Sequence, residues 1–183
     1  MTDQVAHVER SGQSDAPPGS AQSHTIVVLA SDRHGALDRI VNVLRRRRAK
    51  LQAFAIGRNE LPDMVRITIV MNDSEVEVEH LVEQLRKIVD VQHVANLSSK
   101  QTIARELVLI KVNSAEAQQA SEIIELGHLF GAHVVDVTQQ TVTLEVTGSE
   151  EKVEKLVNLL QSFGIRELAR TGCVAMTRGE EGL

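Results

Sequence analysis

The sequence predicts an α+β protein made of two tandem ferredoxin-like βαββαβ units. Three observations carry that prediction. The hydrophobic pattern alternates between strand and helix periods in the order strand–helix–strand–strand–helix–strand over residues 24–98. The same order recurs over residues 99–179. The apolar residues are almost all aliphatic, with three Phe, no Trp and no Tyr, which suits thin sheets covered by helices.

Residues 1–23 are rich in Ser, Gln, Gly and Pro and read as a flexible tail. In the first unit, "HTIVVLAS" (His24 to Ser31) is short, β-branched and bounded by polar residues, a central strand. From Gly35 onward, Leu37, Ile40, Val41 and Leu44 fall at helical spacing and predict a helix with one buried face. Leu51 to Arg58 and Met64 to Val70 read as two strands joined by "NELPD". Val78, Leu81, Val82, Leu85 and Ile88 line one face of a second helix, with Glu77, Glu79 and Glu83 on or near the other. Val89 to Leu97 closes the unit as a fourth strand, and "SSKQT" near Ser98 is the natural linker.

The second unit opens with a strand at Arg105 to Asn113. Ala120, Ile123, Ile124, Leu126 and Leu129 trace a helix that stops at Gly131. "HVVDVT" and "TVTLEVT" form a hairpin across a Gln pair, a weaker turn signal than Asn-Gly. Ser149 is the expected N-cap of a helix that buries Val153, Leu156, Val157 and Leu160. "IRELARTGCVAMTR" supplies the last strand or strands, and residues 180–183 are expected to fray. Each sheet carries helices on one face only. Pairing of edges or stacking of bare faces would supply a cover, so a homodimer through the first unit is expected.

Composition narrows the function classes. A formal net charge of -5 argues against a protein built to bind nucleic-acid phosphates. No apolar stretch approaches the ~20 residues that span a bilayer, and the N-terminus lacks the apolar core of a signal peptide. The single cysteine, Cys173, excludes an internal disulfide and fits a reducing cytoplasm; it falls in an apolar terminal strand, where an inert buried thiol is expected. Nucleophile-elbow, P-loop and dinucleotide-binding motifs are lacking, so no catalytic residue is assigned. The seven histidines show no metal-ligand spacing, and no metal site is assigned. Arg45 to Arg48 point four ways around a helix end; they read as a solvated terminus first and a docking patch for an acidic partner second.

"LASDRHGALDRIVNVL" is the stretch that invites a ligand. A strand runs into a polar knot, passes through Gly35 and continues as a helix. Backbone N–H groups at such a joint can receive a carboxylate, and a glycine lets a ligand approach closely. Strand–Gly–helix turns are also common without any ligand, and the residues alone favour the plain turn.

"DRHGALDRIVNVL", "ARELVLIKV", "VVDVT", "LEVTG" and "IRELARTGCVAMTRG" together resemble the regulatory small subunits of acetolactate synthase. The resemblance runs from His24 to about Gly179. It implies an N-terminal ACT domain over residues 24–98 and a second ferredoxin-like domain over 99–179. It also implies a catalytic large subunit as partner, which would carry thiamine diphosphate, magnesium and FAD, with no cofactor on this chain. In such families a branched-chain amino acid such as valine binds between two ACT domains and mediates feedback inhibition. The implied effector residues are Asp32, His34, Gly35, Ala36, Leu37 and Lys50.

Two of these depart from the family pattern. The loop motif E-N-x-x-G-x-L keeps its glycine at Gly35, but Ser31 and Asp32 replace Glu and Asn. The strand motif G-Y-N-I has become Arg48-Ala49-Lys50 before Leu51, so Lys50 stands for the second Asn. Asp offers only acceptors and Lys only donors where Asn offers both. Three readings are open: Asp32 of one protomer pairs with Lys50 of the other in place of the effector; the two residues hold an effector with exchanged roles; or the site has drifted. The runner-up function is a free-standing ACT-type amino-acid sensor that controls another protein.

Overall fold

The computed structural model describes residues 22–98, 102–180 and 182. Most of the tail (1–23) and the centre of the expected linker therefore lie outside the described residues. In chain order the first unit is β1 (Gln22–Ser31), α1 (Ala36–Arg46), β2 (Leu51–Arg58), β3 (Met64–Asp73), α2 (Glu75–Arg86) and β4 (Val91–Asn96). Its antiparallel sheet has the order β2-β3-β1-β4. The second unit is β5 (Thr102–Asn113), α3 (Ala117–Leu129), β6 (His133–Val137), β7 (Thr141–Gly148), α4 (Glu150–Leu160), β8 (Ile165–Arg170) and β9 (Val174–Thr177). Its order is β6-β7-β5-β8, with β9 also paired to β5. Two α+β units of split-βαβ topology result, as the sequence pattern predicts.

Alternation explains how each sheet buries one face against its helices. Ile26, Val28 and Ala30 of β1 enter the first core with Ile67, Ile69 and Met71 of β3. From the helices come Ile40 and Leu44 of α1 and Val78, Leu81 and Leu85 of α2. Val108, Ile110 and Val112 of β5 meet Val142, Leu144 and Val146 of β7, together with Ile123 of α3 and Val153, Leu156 and Leu160 of α4. Burying each Val, Leu, Ile or Met among them contributes about 1.5–3 kcal/mol.

Several expected details are corrected. Leu37 and Val41 of α1 are 40% and 44% exposed, and Val43 and Ala36 take their places in the core. The stripe around α1 is simply wider than the face the sheet covers. Leu129 is exposed at the end of α3, while Gly127 is buried under Leu144, where a Cβ would lie 3.1 Å from the Leu144 Cδ1. A residue six positions from Ile123 falls away from the sheet side of a 3.6-residue helix. The fourth strand begins at Val91, since Val89 is fully out in solvent and Asp90 turns the chain. Ser149 occupies the N-cap of α4 without a side-chain hydrogen bond.

The largest correction concerns the C-terminus. β8 and β9 run along the same edge of β5, with Val108 opposite Arg170 and Arg105 opposite Val174. The Thr171–Cys173 connection holds one more residue than β5 does there, a bulge. Thr171 pins it by donating its N–H to the Leu107 carbonyl at 3.0 Å and accepting from the Leu107 N–H at 3.0 Å. Cys173 therefore sits in this half-buried connection rather than in a strand, and burial pushes its thiol pKa up.

The ribbon formed by β9 and the start of β5 lies on the helix-free face of the first sheet. Val27 of β1, Leu97 and Ala175 of β9 are buried together, with Ala95 and Ala104 packed on them. Arg66 of β3 donates to the Ala175 carbonyl at 2.7 Å. Part of the cover for that bare face thus comes from the same chain.

Candidate functional site

The joint between β1 and α1 is held by backbone hydrogen bonds on both sides. The Ser31 N–H donates to the Asp90 carbonyl at 2.8 Å, and the Asp32 N–H donates to the Asp63 carbonyl at 2.8 Å. Ala36 closes a turn onto the Arg33 carbonyl at 3.1 Å. Gly35 then caps α1 with φ +81°, the left-handed region that glycine enters without a Cβ penalty. No side chain caps the helix there. The first turn of α1 thus presents N–H groups without a side-chain acceptor, the feature that favours a small anion.

Arg39 and Asp90 complete the support. Arg39 Nε donates to Asp90 Oδ2 at 2.6 Å and its Nη2 lies 2.6 Å from the same oxygen. The Asp90 side chain is 8% exposed. A Cβ on residue 35 would come 3.1 Å from Arg39 Nη1, a contact the arginine could relieve by a small shift, so it is the positive φ that favours glycine here. Neither Arg39 nor Asp90 stands out in the sequence. The available signal was a basic residue one helical turn beyond Gly35 and a single acid between two apolar runs.

The structure brings Asp32, His34, Gly35, Ala36 and Leu37 together around this joint. Asp32 and His34 are exposed, Ala36 is buried, and Leu37 faces outward. Asp32 lines a shallow depression of about 350 Å³ with Arg58, Asn59, Pro62 and Asp63 from the β2–β3 turn. Lys50 is not brought there. β1 and β3 run antiparallel with Ser31 opposite Met64 and His24 opposite Met71, and Leu51 also pairs with Met71. Lys50 therefore lies at the start of the sheet and Asp32 at its far end. The Asn72 N–H donates to the Lys50 carbonyl, whereas the Asp32 N–H donates to that of Asp63, so the two are separated by roughly 30 Å along the sheet at the usual strand rise. Among the described residues neither side chain makes a hydrogen bond or ion pair.

Beside Lys50, a second depression of about 550 Å³ runs between α1 and β2. Val41, Leu44, Leu51 and Phe54 line it, with Arg45 and Arg48 among its walls. β2 is the outer strand of its sheet, so its outer N–H and C=O groups have no ladder partner among the described residues. The four arginines Arg45 to Arg48 are all exposed. Among the described residues, no three His, Cys, Asp or Glu side chains gather closely enough to hold a metal ion, and no helix is long and apolar enough to cross a membrane.

A glycine-started helix at the end of β1, an open β2 edge beside it and a second split-βαβ unit define the class: a two-domain chain whose N-terminal half is an ACT domain. Family models match both halves, one described as the AHAS small subunit-like ACT domain over residues 26–93 and one as the small subunit of acetolactate synthase over residues 105–179. The acetolactate synthase small subunit of Mycolicibacterium smegmatis is 39% identical over 161 residues, covering 88% of this chain and 94% of that protein. A probable acetolactate synthase small subunit of Archaeoglobus fulgidus is 39% identical over 158 residues, covering 86% and 98%. The crystal structure of the Thermotoga maritima acetolactate synthase small subunit superposes with a TM-score of 0.79 at 30% identity, covering 87% of this chain and 99% of that one. The chain belongs to the acetolactate synthase small subunit family.

Proposed function

We infer that this chain is the regulatory, non-catalytic subunit of an acetolactate synthase in branched-chain amino acid biosynthesis. It binds a catalytic large subunit in the cytoplasm and raises that subunit's activity. Thiamine diphosphate, magnesium and FAD belong to that partner. The observation that carries the reading is the match through both units, since the second unit distinguishes this family from free-standing ACT sensors.

Regulation follows from linkage: whatever binds one conformation of the complex more tightly shifts the population toward it. Two copies of the chain associate through the first unit, where the open β2 edge and the exposed Leu37, Val41 and Leu51 are left by a single copy. Antiparallel pairing of two β2 edges would bring the start of one β2 to the end of the other. Lys50 of one copy then lies at the same end of the joined sheet as Asp32 of its partner, which no single chain achieves. Such a pair occupies the place of an effector's carboxylate and ammonium and weakens or abolishes valine feedback. The exposed Arg45 to Arg48 are the proposed contact for the catalytic subunit.

The test is acetolactate formation by the catalytic subunit of the same organism, titrated with this chain in valine-free buffer and again with millimolar valine. Saturable activation with little response to valine is expected. Absence of activation by a folded chain would move the assignment to a free-standing sensor, and strong valine inhibition would remove the self-paired site.

A further inference from the structure

Beside the junction of the two units lies a cleft of about 340 Å³ that neither unit forms alone. Thr25, Gln52 and Phe54 line it from the first unit, and Glu106, Glu150 and Cys173 from the second. The loop at Gly35 contributes nothing to it.

Glu106 is its unusual member. It is 8% exposed, and its Oε2 lies 3.4 Å from Arg170 Nε, a long contact. Its Oε1 has no hydrogen-bond partner among the described residues. Arg170 is held more tightly by Glu154, with Nη2 2.6 Å from Oε1. The one guanidinium is thus divided between two carboxylates, while Glu150 at the start of α4 adds a third negative charge close to Glu106. Burial raises the Glu106 carboxyl above its ordinary pKa, Arg170 draws it back, and Glu150 and Glu154 push it up again. A buried carboxylate oxygen without a donor is costly, and a ligand whose donor meets it as the Glu106 side chain turns toward the cleft relieves that cost.

We propose that this cleft between the units binds a small molecule carrying a primary ammonium group on a short aliphatic chain, with the ammonium donating to Glu106. An ammonium supplies three donors, which suits Glu106 together with the Thr25 hydroxyl and the Gln52 side-chain carbonyl. Ala53, Val70 and Ala104 give the aliphatic part an apolar wall. Three carboxylates against one arginine disfavour an anion, and they disfavour a zwitterion whose carboxylate would meet Glu150 or Glu154. The cleft lacks the ligand set of a metal site among the described residues. Because its walls come from both units, an occupant favours the relative placement of the units seen here.

The experiment is an NMR titration of the isotopically labelled full chain with n-butylamine, with 1-butanol and valine as matched probes. Saturable shifts are expected at the amides of Thr25, Gln52, Thr171, Gly172 and Cys173, with butylamine binding tightest. Glu106→Gln keeps the side-chain volume and is expected to weaken binding about tenfold, the loss of one charge-assisted hydrogen bond. Cys173→Met narrows the cleft without altering its charge and should reduce the shifts as well. Equal binding of butanol, undiminished binding by Glu106→Gln, or shifts centred on residues 32–37 would overturn the proposal. Tighter binding of valine at the cleft residues would overturn its cation assignment.

Discussion

Gly172 packs so closely on the Phe54 backbone that a Cβ at that position would lie 2.7 Å from the Phe54 carbonyl oxygen and 2.9 Å from the Ala55 Cβ. Phe54 lies in β2 of the first unit and Gly172 in the β8–β9 connection of the second, so this contact sets how closely the units approach. Backbone on both sides leaves nothing flexible to move aside. Gly172→Ala is therefore expected to force the units apart locally and to destabilise the chain by about 1–3 kcal/mol. Thermal unfolding measures it, and an unchanged melting temperature would show that the contact gives way freely.

Arg39 and Asp90 make a second prediction. Arg39→Met keeps the aliphatic stem and removes the only ion-pair partner, among the described residues, of a carboxylate that is nearly buried. Arg39 is itself about half exposed, so water partly compensates and the expected loss is about 1–2 kcal/mol. Denaturant unfolding gives the magnitude, and amide exchange at residues 31–36 reports whether the loop at Gly35 loosens with it. Equal exchange in both proteins would mean that the backbone hydrogen bonds of Ser31 and Asp32 hold the loop alone.

Glu106 predicts the sign of one pH dependence. Its carboxyl is raised in the folded chain, chiefly by burial. The folded state therefore holds its proton to higher pH than the unfolded chain does. This group's contribution to stability is fully present below the ordinary glutamate range and is lost as pH rises through the raised value. Glu106→Gln removes the titration, so the variant should gain on the parent as pH increases from about 4 to 7. Parallel stability curves for the two proteins over that range would refute the assignment.

Asp32 and Lys50 give a prediction about assembly. If the two meet across a dimer, Lys50→Asp or Asp32→Lys alone places like charges together twice, and the combined exchange restores attraction. Exposed pairs contribute roughly 0.2–1 kcal/mol each. The single variants should accordingly weaken self-association by about twofold to thirtyfold for two symmetric pairs. Sedimentation across concentrations tests this, with recovery in the double variant as the decisive result. Val41→Asp, placed in the α1–β2 depression, should weaken the same association without disturbing a core that Val41 does not enter.

How much of this was legible in the sequence depended on whether a signal was local. The helix faces of α2 and α4 were read correctly because Val78, Leu81, Val82 and Leu85, and Val153, Leu156, Val157 and Leu160, recur at the helical period and are buried. The stripe of α1 was misread at Leu37 and Val41, since periodicity shows that a face is apolar but not how far the sheet beneath it reaches. Gly35 and its loop could be found because a strand, a glycine and a helix follow one another directly.

The sequence by itself determined the order of elements, the two split-βαβ units and, through its motifs, the family. These follow from short-range rules of alternation, capping and turn chemistry that each segment obeys on its own. Tertiary structure alone decided that Asp32 and Lys50 lie at opposite ends of one sheet, because that depends on the antiparallel register of β1, β2 and β3. It alone decided that Arg39 reaches Asp90, residues 51 positions apart. It also decided that β9 returns to cover the first sheet and that Glu106 is buried with an oxygen that has no partner among the described residues. Each of these is a long-range contact, and no local pattern encodes which distant residue will supply the partner.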